Sequence, residues 1–532
     1  MSLGTVLSRA TGLLRLAAIA AALGVAETRL TDLYNFANTT PNIIYELALG
    51  GVLTSVFVPL FVELLEKEGR ERAWEIVSGI INVAVVALLV LSAVGIAGAP
   101  LIARFFQASS SDPQRETEII TFLLRLFIPQ IVFYGLAAMT AGLLNAHRRF
   151  GAPMFTPILN NLAVISAFVA FHAAYPAPGG DLSGVTSSQL LLIGLGTTGG
   201  VALMAVAQLP FLRGLGRYRL SFSFSHPTAR KLARLSVFVI GYVVANQIGY
   251  AIVLYLASEQ FGGYSAYVAA FTFFMLPHGL FAVSIITALL PGMSEHATNE
   301  RWEEFGERLS TGIRTTALLT VPAAVGYFVL AEPIVRLFER GVMTPESTEL
   351  VASVLRFFVV GLLPFSLFQL LLRAFYSLQD TRTPFLINCG AVALNIAVNI
   401  PMFHILGVKG LAAGHALSYV FGVALQARFL KARIGSLDGA RVARSLIRIG
   451  AAAAGMGVVV WLAARWIEAA VDPTGFGPQV AVLAIVVAVG AVIYLIAARL
   501  LGVEELAYAR SLARRKVPPR DSVSATPSDK SL

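Results

Sequence analysis

Residues 32–66 read DLYNFANTTPNIIYELALGGVLTSVFVPLFVELLE. Most of this stretch is apolar, and at ~1.5 Å per helical residue it is long enough to cross a bilayer. Yet Asp32 and Glu46 stand in its outer half, Pro41 and Pro59 interrupt it, and Gly50-Gly51 weakens its centre. A helix facing lipid avoids such residues. A helix lining a wet cavity keeps them, because water and neighbouring helices satisfy the freed backbone and the charges. Two readings follow: a kinked helix with its acids in a surface loop, or the inner wall of a transport cavity.

The whole chain shares this character. Of 532 residues, 57% are hydrophobic and 13% charged, with a mean hydropathy of +0.75; a soluble domain carries about 25% charged residues. Apolar runs of ~20 residues recur from end to end, which makes the chain an all-α polytopic membrane protein. Barrel strands would instead alternate apolar and polar over ~10 residues. No cleavable signal peptide is expected, because the first apolar run lacks a small-residue cleavage site followed by soluble chain. The one cysteine, Cys389, lies inside an apolar run, so no internal disulfide forms. The net charge of +10 comes from basic residues clustered between apolar runs, which suits a membrane face rather than nucleic acid.

About fourteen spans are expected, near 5–25, 33–65, 76–98, 119–145, 156–175, 189–212, 231–258, 265–294, 311–331, 348–378, 384–405, 411–432, 444–467 and 478–501. Alternate connections are basic: Arg148-Arg149; Arg213 to Arg234; Arg428 to Arg448; and the tail Arg510, Arg514, Arg515, Lys516. The opposite connections 176–188 and 259–264 carry no Lys or Arg. The bias puts both termini in the cytoplasm. The last ~15 residues, rich in Pro, Ser and Asp, read as disordered.

The chain also repeats itself. A displacement of 231 or 232 residues carries Pro59 onto Pro291, Glu63 onto Glu295, Arg104 onto Arg336, Arg125 onto Arg356 and Pro153 onto Pro384. Spans one to six and seven to twelve then form two six-helix lobes, 1–212 and 213–432, of the same orientation. Such parallel repeats place a substrate route between them near the midplane. Spans thirteen and fourteen (433–502) stand outside the repeat, and 503–532 is a basic, then disordered, tail.

No enzyme signature emerges: there is no phosphate-binding GxxxxGK[ST] loop, no HExxH and no cysteine pair at metal spacing. No cofactor or metal is expected. The first helix carries Arg9 and Arg15, which point about 120° apart. A bilayer-centre arginine costs ~2.5–3.5 kcal/mol on insertion scales. Arg9 either snorkels to the inner surface or faces a cavity. Arg15, about 9 Å deeper, calls for an internal anionic partner, and the guanidinium fork suits phosphate oxygens. Asn42, Asn160, Asn161, Asn246, Gln247, Asn388, Asn395 and Asn399 mark further polar positions, as cavity lining or interhelical hydrogen bonds, and His278 and His415 read as packed or cavity-lining histidines.

The opening LSRATGLLR, the span-two run above, LPHGLFAVSIITALLPGMS and LLRAFYSLQDTRTP together resemble the MurJ (MviN) lipid II flippase family, within the multidrug/oligosaccharidyl-lipid/polysaccharide exporter superfamily. The resemblance covers roughly residues 1–500. It implies head-group binding and gating by Arg9, Arg15, Asp32 and Asn42, a structural role for Arg373, Tyr376, Asp380, Thr381 and Pro384, and a lipid-tail groove formed by spans thirteen and fourteen; Glu46, in the same span-two run, is a further substrate-binding or gating candidate read from its own position. Where many members place basic or charged residues this chain has Tyr45-Glu46, Thr272 and Met275, which implies a less basic cavity. The counterparts of the sodium-binding residues of some members are Asn246, Asn395, Asn399 and His415; neutral amides bind a bare cation poorly. The implied function is transfer of an undecaprenyl-pyrophosphate-linked peptidoglycan precursor from the inner to the outer leaflet of the bacterial cytoplasmic membrane. Cell-wall synthesis proteins are expected partners beside the precursor and the bilayer. The alternatives are a flippase for another polyprenyl-linked oligosaccharide, an ion-coupled drug exporter, or a non-transporting scaffold of envelope synthesis.

Overall fold

The computed structural model describes residues 2–47, 61, 64–65, 67–105, 112–175, 182–216, 218–220, 227–435, 437–471 and 475–506. These residues form seventeen α-helices and no strand. The first half holds α1 (Ser2–Leu23), α2 (Arg29–Tyr45), α3 (Gly69–Phe105), α4 (Pro113–Phe127), α5 (Gln130–Ala146), α6 (Gly151–Ala174) and α7 (Ser187–Val206). The second holds α8 (Pro227–Ser258), α9 (Gly263–Pro277), α10 (Val283–Thr298), α11 (Trp302–Arg336), α12 (Pro345–Val360), α13 (Leu362–Ser377), α14 (Arg382–Leu406) and α15 (Val408–Ile434). Then follow α16 (Gly439–Val471) and α17 (Phe476–Leu500).

Twelve spans among the described residues are long and apolar enough to cross a membrane, α4 with α5 forming one of them and α9 with α10 another. The pair α12 and α13, bent by 47° at Gly361, makes a thirteenth if taken as one crossing. The expected second span, 33–65, falls partly outside the described residues, as do Gly50-Gly51, Pro59, Glu63 and the tail after 506. The described residues thus hold twelve or thirteen of the expected fourteen spans, and the chain is a multi-pass helical membrane protein.

The helix boundaries carry the repeat more clearly than the side chains do. Pro113 and Pro345 begin α4 and α12, Gln130 and Leu362 begin α5 and α13, and Gly151 and Arg382 begin α6 and α14, each pair 231 or 232 residues apart. The local chemistry repeats too. Asp112 caps α4 by accepting from the Arg115 amide, Thr344 caps α12 by accepting from the Ser347 amide, and a proline follows each cap. Proline fits the first turn because its missing N–H would have no intrahelical partner there.

Within the first half, α1 packs on α6, α6 on α7, and α4 on α2, α3 and α7. Within the second, α14 packs on α15 and α8, α12 on α9, α11 and α15, and α10 on α11. The α16–α17 pair lies against α11, held where the Tyr494 hydroxyl donates to the Leu318 carbonyl at 2.8 Å. A buried ion pair of Arg314 with Glu505 adds to that hold. The two halves meet mainly through α2 and α9. Pro277 ends α9 regularly, and a π-helical turn, His278–Ala282, widens the backbone before α10. Such a turn shifts the register of every later side chain on the helix.

Candidate functional site

Two adjoining cavities lie between the halves. One, about 860 Å³, runs along α1 and is closed in by α6 and α9. The other, about 540 Å³, is enclosed by α2, α5, α8, α14 and α15. Arg15, Asn42 and Phe271 line both, so the two spaces share one wall. Arg9 lines the first cavity at the opposite end of α1 from Gly24. Its guanidinium reaches across to the second half, where a Cβ added at Gly279 would sit 3.2 Å from the Arg9 Nε.

Among the described residues neither cavity is lined by a carboxylate, and neither Arg9 nor Arg15 is in an ion pair. The rest of the second cavity is amide, hydroxyl and aromatic: Asn246, Gln247, Asn388, Asn395, Tyr250 and Tyr419. The cavity is thus positive without being crowded with charge. It offers hydrogen-bonding groups on the side formed by α8, α14 and α15, and guanidinium groups on the α1 side.

Of the polar positions read from the sequence, Asn42, Asn246, Asn395 and His415 line the second cavity. Asn399 is fully buried behind the wall, where its Nδ2 donates to Asn395 Oδ1 at 2.9 Å. The Asn246 amide is held by the Tyr242 carbonyl at 2.9 Å. His415 is ringed by Phe271, Phe274, Phe358, Phe365 and Tyr419, and its Nε2 has no protein partner. These four positions bring amides and an imidazole but no carboxylate, a poor match to a bare sodium ion. Asn161 belongs to the packing: its Nδ2 donates to the Ser8 carbonyl and to Thr11 Oγ1, tying α6 to α1. Glu46 is half-buried and lines neither cavity.

Asp32 also lies outside both cavity walls, in the joint that closes the two halves together. Its carboxylate is buried in the joint between the two halves. Oδ1 accepts from the Ser265 amide at 2.9 Å and its hydroxyl at 2.6 Å; Oδ2 accepts from the Gly262 amide at 2.9 Å and from Arg29 Nη1 at 3.1 Å. Gly262 has no side chain with which to cap α9, so Asp32 supplies that cap from the opposite half. Arg29 extends the joint to α4 through Glu116, Nε to Oε1 at 2.9 Å, and to α8 through the Ser258 carbonyl at 3.2 Å. Sequence reading missed Arg29 and Glu116, because a charged residue at a helix start resembles any solvated end.

The joint is a seal. Gly262 has φ +69°, and a Cβ there would lie 2.3 Å from the Ala26 Cβ. Gly341 has φ +60°, and its Cβ would lie 2.1 Å from the Ala21 carbonyl oxygen. Only glycine allows both that backbone conformation and so close an approach. The Ala26 amide donates to Ser347 Oγ at 3.0 Å, Asn35 Nδ2 to Ser265 Oγ at 3.0 Å, and the Tyr264 hydroxyl to Thr39 at 2.9 Å.

Glu27, in the connection between α1 and α2, adds a charged contact to the seal. It accepts from the Val25, Ala26 and Thr344 amides at 2.5, 3.0 and 2.7 Å. Burial opposes its charge, but the hydrogen bonds from Ser347, Thr344 and Val25 outweigh it, so the carboxyl titrates below its ordinary 4.5. A depressed carboxyl stabilises the sealed form above its ordinary range, and that contribution disappears as pH falls through the lowered value. Hydrogen exchange at the Thr344 and Val25 amides should therefore be flat from neutral pH down to the ordinary carboxylate range and rise below it, after correction for intrinsic exchange. A rise already at pH 6 would contradict this assignment.

The comparisons with known proteins agree with this architecture. The family model described as "Lipid II flippase MurJ" matches residues 19–474. The chain belongs to this family. Among curated lipid II flippases, the one named "Lipid II flippase MurJ" from Burkholderia cenocepacia is 32% identical over 417 residues, covering 76% of this chain and 78% of its own. The "Probable lipid II flippase MurJ" of Rhizobium meliloti is 30% identical over 418 residues, covering 77% and 76%. A solved structure, "Lipid II flippase MurJ, inward closed conformation", superposes with a TM-score of 0.73 at 24% identity, over 96% of this chain and 99% of that one. The fold extends beyond lipid II flippases: an inward-facing multidrug resistance MATE family transporter of the MOP superfamily superposes at 0.68 with 13% identity, over 81% and 96%.

Proposed function

We propose that this flippase carries an undecaprenyl-pyrophosphate-linked peptidoglycan precursor from the inner to the outer leaflet of the bacterial cytoplasmic membrane by alternating access. The observation that carries the reading is the pair of unpaired guanidiniums, Arg9 and Arg15, on a cavity free of carboxylates among its described lining. An unpaired arginine at membrane depth is costly unless an anion meets it. A pyrophosphate supplies that anion, and its oxygens match the guanidinium fork. The amide-rich wall of the second cavity suits a sugar–peptide head group. The apolar outer faces of α16 and α17 leave the polyprenyl tail a path in lipid.

In this reading 1–212 and 213–432 are the two moving lobes, and 433–502 is the tail-binding pair. The Lys/Arg bias places both termini in the cytoplasm and the Asp32 joint on the outer side. The described form is then closed outside. Transport needs no catalytic residue and no fuel site: an inside-negative potential drives anions outward by ~2.3 kcal/mol per charge per 100 mV.

Depletion of the protein in cells, with a leaflet-specific assay of lipid-linked precursor, tests the reading. The expected result is precursor trapped in the inner leaflet. Normal outer-leaflet exposure after depletion would reject it and favour a scaffold role.

A further inference from the structure

The two halves differ at one pair of matched arginines. In the second half, Glu332 neutralises Arg336 at 2.5 Å and reaches Arg356 at 3.8 Å. In the first half the matched residues are Arg104, in the last turn of α3, and Arg125, in the last turn of α4. The position matching Glu332 is Pro100. Among the described residues neither Arg104 nor Arg125 has an ion-pair partner. Both line one cavity of about 680 Å³ together with Gln114, Thr117 and Thr121. The Thr121 hydroxyl is buried there without a partner. Glu118 lines the same space, but its carboxylate is engaged by Arg115 at 3.1 Å.

The position of this cavity says what fills it. Arg115 donates to the carbonyls of Leu182 and Val185, so the start of α4, where Pro113 and Gln114 line the cavity, lies beside the connection that carries no Lys or Arg, on the outer face by the charge bias. Val90, Val94 and Leu101 are exposed on α3 and lie in line with Arg104 at helical spacing. Acyl chains would lie along that stripe, with the head group at the level of the guanidiniums.

We propose that Arg104 and Arg125 form a binding site for the phosphate of an anionic lipid in the outer leaflet, separate from the central cavity. Two like charges sharing a cavity repel, and the second half relieves this with its own carboxylate. In the first half the one carboxylate lining the cavity, Glu118, is held by Arg115, so Arg104 and Arg125 take their anion from the membrane. Each guanidinium presents a fork to phosphate oxygens, and the Gln114 amide and the Thr121 hydroxyl supply further donors. The site does not depend on which lipid the central cavity transports.

Native mass spectrometry of the full chain in detergent, titrated with phosphatidylglycerol, phosphatidylcholine or inorganic pyrophosphate, tests the site. Arg104→Gln/Arg125→Gln should weaken phosphatidylglycerol retention at least about tenfold, while Arg356→Gln leaves it unchanged and phosphatidylcholine is held weakly by every form. Should the double variant not fold, Arg104→Gln alone, at an exposed helix end, should weaken it at least about threefold. Undiminished phosphatidylglycerol retention in the variants, equal retention of phosphatidylcholine, or pyrophosphate binding at these arginines that phosphatidylglycerol does not displace would each overturn the proposal.

Discussion

Arg15→Ala should abolish precursor transfer while leaving the protein folded. Arg15 lines both cavities and has no carboxylate partner among the described residues, so the anion it meets is a transported one. A hydrogen bond to a charged group contributes about 1.5–3 kcal/mol. Losing it should weaken head-group binding by about 10- to 150-fold, at 1.4 kcal/mol per factor of ten. Arg15→Lys keeps the charge but loses the planar fork, so it should retain part of the activity. Arg9→Ala should cost less, because Arg9 is exposed at the end of α1 and water screens its field. The control is thermal stability. An arginine at the bilayer centre carries ~2.5–3.5 kcal/mol of insertion cost, so Arg15→Ala should be at least as stable as the parent. Normal outer-leaflet exposure of precursor in Arg15→Ala cells would remove Arg15 from the mechanism. Lost exposure together with a lowered melting temperature would assign it to the fold.

The membrane class was legible because hydropathy is a long-range signal: runs of ~20 apolar residues have few other uses. The repeat was legible because prolines and arginines punctuate it, and the helix starts at Pro113 and Pro345 follow the same displacement. Arg15 and Asn42 were legible as cavity residues because a polar group at membrane depth has few alternatives. For Asp32 only the acid itself was legible. The sequence shows an acid at the start of an apolar run, but not that Gly262 and Ser265, 230 and more residues away, present two amides and a hydroxyl to it. For Asn399 the spacing left cavity lining and hydrogen bonding open; it shares the face of Asn395, is fully buried and donates to the Asn395 oxygen. Periodicity gives the side of a helix and leaves its partners unstated. Long-range hydrogen bonds such as Arg29 to Glu116 have no local signature at all.

The second large effect is expected at Asp32. Asp32→Ala removes the acceptor of four hydrogen bonds, from the Ser265 amide and hydroxyl, the Gly262 amide and Arg29. Arg29 keeps Glu116, so the loss falls on the joint between the halves rather than on the packing of α2 against α4. Removing one member of a buried charged network costs about 3–5 kcal/mol. Here that cost is borne by the sealed form alone, since an open form exposes the same amides to water. At 1.4 kcal/mol per factor of ten, the closed-to-open ratio should fall by more than about 100-fold. Val25 is buried at the seal and reports on it. In a background lacking Cys389, Val25→Cys should react with an externally added, membrane-impermeant maleimide about 100-fold faster when Asp32→Ala is also present. Asp32→Asn, which keeps one acceptor oxygen and loses the charge, should fall between. Precursor transfer should fail in Asp32→Ala cells, because a carrier that does not close outside does not return to load inside. Unchanged labelling of Val25→Cys would show that the seal holds without Asp32 and that the glycine contacts at 262 and 341 suffice to close it.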